Sequence, residues 1–403
     1  MLDVAEAQRI LFQCVLPGAK RRVALAHALG RTLAESFLCD VDDPPFSRSQ
    51  MDGFAIRATD VVGAPTRLRV VGLVPAGSMF DRALAEGEAV QISTGAPLPA
   101  GADSVVRVED TEQAADGRTV LIRVRVSSGQ FVIDRGAYVS TGQEVLSVGA
   151  RLGPLEIAAA ATAGAAEVVV YDRPRVGILT TGNELIEVHD KPRGAQIRNS
   201  NAYLLNALAL SAAAEPVSLG VARDDPEEIR EKLTKGLACD VVCVTGGASV
   251  GEFDFVPQVF SEIGATIHVH KMMIKPGRPT LFATAPGGTL LFGLPGNPIS
   301  TFVAFELLVR PALAAREGRR GAIPREVSAL LRGSIKATEN RRSYWPARTR
   351  VLDNGQWEAE ALSWQGSGDP FGIVGANALV VRPPGSVGVA TGEWVKILLL
   401  EHR

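Results

Sequence analysis

Between residues 175 and 315, short apolar runs alternate with segments of helical pattern. Each apolar run has the length of a buried strand, and the segments between them carry helix-start signals such as Asp225-Pro226. Strands covered by helices on both faces are typical of a parallel sheet, which binds its ligands at the carboxyl ends of its strands. The pattern therefore predicts a parallel α/β sheet domain over residues 174–318. The predicted strands are 176–180, 217–219, 241–245, 267–270 and 290–292, and the predicted helices follow Ser200 and Asp254, open at Asp225-Pro226 and cover 298–310.

The rest of the chain has a different pattern, in which short β-rich runs are separated by Gly, Pro and Asp. Such runs predict a small β domain over residues 46–139 and a C-terminal β barrel over residues 322–403. A rigid break, Asp42-Asp43-Pro44-Pro45, precedes the first of these domains, and an alanine-rich helix follows Gly153-Pro154. We therefore expect residues 1–45 together with 140–173 to form a helical and extended linking domain, which gives a multidomain protein.

The composition is that of a globular protein without a dominant charge. Of the 403 residues, 46% are apolar and 21% are charged, and the formal net charge is −2. So small a net charge creates no global field that would attract nucleic acid or an anionic membrane surface, so a small-molecule ligand in a local site is expected. Neither a signal peptide nor a membrane span is expected. Four scattered cysteines are interpreted as free thiols in a reducing cytosol, which predicts a cytoplasmic protein.

A glycine-rich turn follows the predicted strand 241–245. It reads Gly246-Gly247-Ala248-Ser249-Val250-Gly251, and Glu252 and Asp254 come directly after it. Glycines let the backbone approach a ligand closely and let its N–H groups face an anion. A plain strand-to-helix turn is the alternative, and the two acids favour a site.

Two cations stand on a loop that proline and glycine make rigid. The loop is Lys275-Pro276-Gly277-Arg278-Pro279, and Lys271 lies shortly before it. Surface lysines usually have no specific role, but cations held on a rigid loop are typical of a preorganised oxyanion site.

Two further loops are predicted at the same edge of the sheet. In residues 294–300, Asn297 is expected at the N-cap of a helix and Pro298 at its first position, which leaves N–H groups near Ser300 for an anion. A capped helix without a ligand is the alternative. Glu184 follows the first strand of the domain and would be either a site residue or a helix cap. Together these loops suit a phosphate-bearing substrate, a divalent cation and a second oxyanion.

Six motifs, in this order, resemble those of the MoeA and gephyrin E-domain family, the molybdopterin molybdenumtransferases, over essentially the whole chain. A looser match follows at residues 364–368 and 376–379, with Arg348 near a usual basic position. The motifs are Ser-x-Met-Asp-Gly-aromatic-Ala at 49–55, Thr-Gly-Ala-Pro-Leu-Pro-x-Gly-Ala-Asp at 94–103, Thr-Gly-Asn-Glu-Leu at 181–185, Gly-Gly-x-Ser-Val-Gly-Glu-x-Asp at 246–254, Lys-Pro-Gly-Arg-Pro at 275–279 and Leu-Pro-Gly-Asn-Pro-x-Ser at 294–300.

The resemblance implies an elongated homodimer of four domains, in which the α/β domain of one subunit faces the β domain of the other and the linking domain contributes to dimerisation. It implies an enzyme that inserts molybdate into adenylylated molybdopterin, releasing AMP and forming molybdenum cofactor, with Mg²⁺ as cofactor. A molybdopterin adenylyltransferase and molybdoenzymes are the protein partners that it suggests.

The resemblance also assigns roles to residues of this sequence. Asp52, Thr94, Glu184 and Asp254 are expected to be catalytic, and Glu184 and Asp254 to hold Mg²⁺, with Asp52 beside them. Molybdate is a tetrahedral dianion and would sit among Lys275, Arg278, Ser300, Arg348 and Ser367. The expected substrate-binding residues are Gly246, Gly247, Ser249, Gly251, Lys271, Pro295, Asn297 and Pro298.

At two positions the sequence departs from the family pattern. An acid that usually ends the segment corresponding to 132–138 is Tyr138 here, and a usual aspartate is Asn199. Fewer carboxylates provide fewer oxygen ligands for Mg²⁺, but both replacements can still hydrogen-bond a pterin or a ribose. The alternative function is therefore a binding-only paralogue that acts as a molybdopterin carrier, scaffold or regulator. A pterin or nucleotide hydrolase is a third hypothesis, against which the small β domain argues.

Overall fold

The computed structural model describes residues 1–246, 255–319, 323, 325–338 and 340–400. In this part of the chain, six strands form the sheet of the α/β unit. The first four strands in spatial order are parallel, as predicted, and the fifth, Leu281–Thr284, is antiparallel to both of its neighbours, so Thr266–His270 again has the direction of the first four. In spatial order the strands are Glu215–Ala222, Arg175–Thr181, Val241–Thr245, Leu290–Leu294, Leu281–Thr284 and Thr266–His270.

Helices cover both faces of this sheet and create two separate hydrophobic cores. The starts of two of these helices are fixed by side-chain caps: Asp225 accepts a hydrogen bond from the Glu228 N–H (2.9 Å), and Asn199 accepts one from the Ala202 N–H (3.2 Å). The helices are Ser200–Ser211, Pro226–Gly236, Val256–Glu262, and Pro298–Ala304, which continues through a π-helical turn, Phe305–Val309, into Arg310–Arg316.

The continuous helix Pro298–Arg316 is long and apolar enough to cross a membrane, but 89% of its apolar stretch is buried inside the protein. Such burial is what the core helix of a soluble protein shows. A buried ion pair lies at the π-helical turn, where the Arg310 guanidinium donates to both Glu306 carboxylate oxygens at 2.7 and 2.9 Å. The pairing compensates both charges where water is excluded.

The N-terminal helix, Val4–Cys14, packs against this long helix and not against the chain that follows it. Asp3 caps it by accepting from the Glu6 N–H (2.8 Å), and Val4, Ala7 and Leu11 enter the core of the α/β unit. The Gln8 side chain donates to the Leu307 carbonyl at 2.8 Å. The first residues of the chain are thus part of the α/β core.

The linking part is built from antiparallel strand pairs that join distant parts of the chain. They enclose a small core that includes Leu33, Leu152 and Val170. The paired strands are Lys20–Ala24 with Glu167–Tyr171 and Phe37–Leu38 with Glu144–Leu146, and the accompanying helices are Leu25–His27 (3-10) and Pro154–Thr162. A third pair, Arg48–Ser49 with Val132–Ile133, belongs to the small β unit, because Val132 packs against a core of that unit.

The small β unit and the C-terminal barrel match the predicted fold class. In the β unit the described strands follow the spatial order Ser104–Arg107, Gly53–Ile56, Glu88–Ile92, Thr66–Val74, Thr119–Ile122 and Thr111–Gln113, with 3-10 turns at Ala58–Asp60 and Val108–Asp110. The barrel strands are Arg342–Val351, Trp357–Ala361, Glu326–Arg332, Trp394–Leu399 and Ala378–Arg382, with a 3-10 turn at Pro370–Ile373. The barrel closes because Arg342–Val351 pairs with both Trp357–Ala361 and Ala378–Arg382.

A two-residue strand, Ile274–Lys275, ties the α/β unit to the barrel. It pairs in parallel with the start of the barrel strand, Ile274 opposite Arg342 and Lys275 opposite Ser343. The predicted cation loop therefore begins on the edge of the barrel.

Candidate functional site

The carboxyl ends of the parallel strands open onto a cavity of about 780 Å³. Thr181, Gly246 and Pro295, which end or directly follow three neighbouring strands, line one side of it. The opposite side is formed by Arg341, Trp345, Trp364, Gly366 and Ser367 of the barrel. The position agrees with the rule that open α/β sheets bind ligands beyond their carboxyl edge.

Both predicted cations, Lys275 and Arg278, line this cavity. Their loop is closed by two hydrogen bonds, from the Thr280 hydroxyl to the Gly277 carbonyl (2.6 Å) and from the Met272 N–H to the Arg278 carbonyl (2.9 Å). Gly277 has φ 107°, and a Cβ there would lie 2.9 Å from the Ile274 Cδ1. The loop thus has the rigidity that the sequence predicts. Lys271 precedes the loop and does not line the cavity.

The start of the long helix supplies Asn297 and the buried Ser300 to the same cavity. Pro298 occupies the first turn, as predicted, and lines an adjoining cleft of about 560 Å³. Asn297 stands at the N-cap position, but its side chain does not cap the helix: it donates instead to the Ser367 hydroxyl at 2.8 Å. The Ile299 N–H donates to the Ser367 carbonyl at 3.1 Å, so the expectation that the first N–H groups are open to an anion is wrong for Ile299.

One buried amide holds two of the strand ends together. The Asn201 side chain donates to the Thr245 hydroxyl (3.0 Å) and to the Gly296 carbonyl (2.7 Å), and the Thr245 hydroxyl donates to the Pro295 carbonyl (2.9 Å). Gly246 has φ 96°, and a Cβ there would lie 2.2 Å from the Thr181 carbonyl oxygen. The close approach of these loops therefore requires glycine at 246.

Two carboxylates, Glu184 and Asp224, line the cavity near the Thr181 loop. Glu184 lies in a turn before the short strand Leu185–Ile186, so its interpretation as a helix cap is wrong. Asp224 accepts from the Asn183 N–H at 3.2 Å. The Thr181 hydroxyl is buried and has no hydrogen-bond partner among the residues that the structure describes. Within the described ranges, no group of three or more His, Cys, Asp or Glu residues is arranged to hold a metal ion.

The barrel loop that carries Ser367 is held by one carboxylate. Asp369 accepts from the Gln365 N–H (3.1 Å), the Gly372 N–H (3.2 Å) and the Phe371 N–H (3.1 Å). These backbone hydrogen bonds lower the pKa of Asp369, because they stabilise its ionised form. The loop is thus organised around a charge.

Besides Lys271 and Pro298, three predicted site residues lie outside this cavity. Asp52 and Thr94 meet in the small β unit, where the Thr94 N–H donates to the Asp52 carboxylate at 2.8 Å, and neither lines the cavity of its own chain. Arg348 is exposed on the barrel strand and reaches toward Gly375, where a Cβ would lie 2.7 Å from its Nη2. Gly247, Ser249, Gly251 and Asp254 lie outside the described residues.

The two positions that depart from the family pattern also have defined surroundings. Asn199 is 5% exposed, and its side chain donates to the Thr180 hydroxyl (2.9 Å) while it caps the helix Ser200–Ser211. Tyr138 is 59% exposed in the linking part, where the Arg48 guanidinium lies 5.5 Å from its ring centre. The Asn199 side chain is therefore engaged within the protein, although Asn199 also lines the adjoining cleft.

Several residues that line the cavity were not predicted as site residues, and those with charged or aromatic side chains are Asp224, Arg341, Trp345 and Trp364. Asp224 follows the carboxyl end of Glu215–Ala222, so the rule that led to Glu184 could have found it. The barrel residues carry no such signal, because the sequence pattern does not show which end of a barrel faces a neighbouring unit.

Comparisons with known proteins cover almost the whole chain. The description "MoeA N-terminal region (domain I and II)" matches residues 2–164, "Probable molybdopterin binding domain" matches 177–315, and "MoeA C-terminal region (domain IV)" matches 328–400. A molybdopterin molybdenumtransferase of Nostoc is 34% identical over 94% of this chain and 88% of its own length. One of Bacillus subtilis is 34% identical over 100% of this chain and 95% of its own.

The fold is also found in solved structures. The crystal structure of a molybdopterin biosynthesis MoeA protein from Pyrococcus horikoshii is 31% identical, covers 99% of each chain and has a TM-score of 0.85. A molybdenum cofactor biosynthesis protein from Pyrococcus furiosus shares the fold at 21% identity with a TM-score of 0.59.

Proposed function

The chain belongs to the MoeA family of molybdopterin molybdenumtransferases, and on that premise we propose that it inserts molybdate into adenylylated molybdopterin, releasing AMP and forming molybdenum cofactor. The observation that carries the proposal is a single cavity in which Lys275, Arg278 and Ser300 come together opposite Glu184. An oxyanion and a phosphate-bearing substrate need this combination of cations and an acid within one site.

The cationic side of the cavity is suited to bind and orient molybdate. Lys275 and Arg278 offer charged N–H donors from a closed loop, and Ser300 offers a hydroxyl at the start of a long helix. A hydrogen bond to a charged group contributes about 1.5–3 kcal/mol. Ser367, held by Asn297 and by the Ile299 N–H, faces this group from the barrel. The two sides would together fix the oxyanion next to the substrate.

The acidic side fits Mg²⁺ by the chemistry of its donors, since Glu184 and Asp224 offer hard oxygen ligands and the buried Thr181 hydroxyl has no partner in the described part of the chain. We propose Glu184 as a ligand, together with Asp254, which lies outside the described residues, and we add Asp224. When bound, the ion would neutralise charge on the substrate phosphates.

We further propose that the active assembly is a homodimer in the cytoplasm. A second subunit would bring Asp52 and Thr94 to the cavity, which would explain why these residues pair with each other in a unit that lacks the cavity. The four free cysteines fit a reducing compartment. A molybdopterin adenylyltransferase would supply the substrate, and molybdoenzymes would receive the product.

The proposal is tested by giving the purified protein adenylylated molybdopterin, Mg²⁺ and molybdate. We expect AMP to be released in step with cofactor formation. Lys275→Ala should lower turnover at limiting molybdate by about 10- to 100-fold, the loss of one charge-assisted hydrogen bond. Lys396→Ala is the matched control, because Lys396 lies on the outer barrel surface and bonds only Ser328 among its described contacts. Tight binding of the substrate without AMP release would overturn the proposal and favour the binding-only alternative.

A further inference from the structure

Two tryptophans, Trp345 and Trp364, form an aromatic corner at the edge of the cavity. Their ring centres are 5.9 Å apart and their planes meet at 83°. They are the aromatic side chains among the described residues that line the cavity, and both are half-buried. Their remaining exposed surface therefore borders the site.

Each indole is anchored in a different core. Trp345 packs against the core of the barrel, and Trp364 packs against the core of the α/β unit. Gly372 lies directly against Trp364, since a Cβ at this glycine would be 2.5 Å from the Trp364 Cβ. The corner thus has a fixed shape before any ligand binds, which lowers the entropy lost on binding.

We propose that Trp345 and Trp364 form a subsite that stacks a flat bicyclic heteroaromatic ring of the substrate, either the pterin or the adenine. The inference rests on the proposed function and adds where one ring of the substrate lies. A flat ligand stacked on one indole lies edge-on against the other, because the two rings are perpendicular, and both arrangements are favourable for aromatic groups.

The rest of the cavity supports this assignment. Lys275, Arg278 and Arg341 make one part of the wall cationic, and the indoles make another part aromatic. Adenylylated molybdopterin has the same division, with phosphates between two heterocycles. A ligand that places its phosphates on the cations would bring one of its rings within reach of the corner.

The experiment measures binding by calorimetry, without turnover. The probes are AMP, which carries adenine, 6-hydroxymethylpterin, which carries the pterin, and ribose 5-phosphate, which carries neither. Trp345→Leu and Trp364→Leu should each weaken the binding of AMP or of 6-hydroxymethylpterin by about tenfold and leave ribose 5-phosphate unchanged. The heterocycle that loses affinity identifies the ring at the corner. Trp394→Leu is the matched control, because Trp394 is 56% exposed on the barrel away from the cavity.

Phenylalanine variants separate stacking from packing. Trp345→Phe and Trp364→Phe keep an aromatic face, so they should restore most of the lost affinity. Leucine variants that bind both heterocycles as tightly as the unchanged protein, or a protein that binds neither heterocycle, would overturn the subsite. Because AMP release is assayed separately, a protein that loses heterocycle affinity in the leucine variants but never releases AMP would retain the subsite and refute the proposed function.

Discussion

The side chains proposed to bind molybdate are held by residues that do not bind it themselves. The Ser367 hydroxyl accepts a hydrogen bond from the Asn297 side-chain amide. The loop that carries Ser367 is held by the three backbone N–H groups that donate to Asp369. We therefore expect Asp369 to act as a positioning residue for the Ser367 loop, most strongly when its carboxylate is ionised.

The pKa of Asp369 gives this role a pH dependence. The pKa is lowered in the folded protein, so the ionised form contributes stability at neutral pH that is lost as the pH falls through the folded pKa. Asp369→Asn removes the charge at all pH values. We expect the Tm difference between the unchanged protein and Asp369→Asn to be largest near neutral pH and to shrink below about pH 4.

The Tm measurement needs a control carboxylate on the same barrel. Asp353→Asn serves, because Asp353 shows no resolved interaction with the loop among the described hydrogen bonds. A Tm difference for Asp369→Asn that stays constant from neutral to acidic pH would contradict the assigned role.

The motif residues of the cavity could be predicted from the sequence because some follow strands with a clear apolar pattern and others stand on a loop that proline and glycine make rigid. Lys275, Arg278 and Ser300 lie where that reasoning puts them. Trp345 and Trp364 could not be predicted, since a tryptophan in a barrel strand or loop has the same pattern whether it faces solvent, core or a neighbouring unit. Their proposed function depends on how the barrel packs against the α/β unit, and the local sequence pattern contains no information about that packing.

The fold could likewise be predicted in part from the sequence. Apolar runs predicted the parallel strands, and helix-capping residues predicted the starts of helices. The antiparallel strand Leu281–Thr284 was not predicted, because it is short and its direction depends on its pairing with Leu290–Leu294. The packing of Val4–Cys14 on the long helix was also out of reach, because an amphipathic helix shows that it has a partner but not which one.

At the scale of elements, the site depends on how closely the strand ends approach one another. The turn after Val241–Thr245 passes the end of Arg175–Thr181 so tightly that a Cβ at Gly246 would meet the Thr181 carbonyl oxygen at 2.2 Å. Backbone on both sides of this contact leaves no flexible group that could move aside. Glycine, whose side chain is a single hydrogen atom, is therefore required at position 246 for the two loops to lie this close together.

Gly246→Ala tests this spacing. Gly288, at the turn before Leu290–Leu294, is the matched control: its φ is 85°, close to the 96° of Gly246, but no atom lies within 4 Å of its Cβ position. Both alanine variants are strained by the positive φ, but only Gly246→Ala also creates a steric clash with the Thr181 carbonyl oxygen. We expect Gly246→Ala to lower the free energy of unfolding by roughly 1–3 kcal/mol more than Gly288→Ala in urea titrations followed by circular dichroism. Equal losses for the two variants would show that the loops can separate freely.

At the scale of the molecule, the proposed site extends over three units, of which two meet within one chain. The α/β unit and the barrel enclose the cavity, whereas Asp52 and Thr94 lie in the small β unit. If a second subunit supplies them, each cavity of the dimer requires an intact cation loop from one chain and an intact Asp52 from the other.

Mixing two impaired variants tests this arrangement. At limiting molybdate, Lys275→Ala should retain roughly a tenth to a hundredth of full activity, and Asp52→Ala should be comparably low. After the two are denatured and refolded together, activity should rise to about a quarter of the full value, because half of the dimers are mixed and one of their two cavities is intact. Each variant refolded alone is the control. A mixture that stays as inactive as its components would place Asp52 in the same cavity as Lys275 of its own chain, or outside the site.

The pairing of Ile274–Lys275 with the first residues of the barrel strand Arg342–Val351 has a mechanical consequence. Ile274 and Lys275 form both an edge of the barrel sheet and the start of the cation loop. A rotation of the barrel relative to the α/β sheet would therefore also move Lys275. An anion bound by Lys275 on one side and Ser367 on the other would connect the α/β unit with the barrel. Separation of the two units to release a product would therefore also break the contacts with the anion.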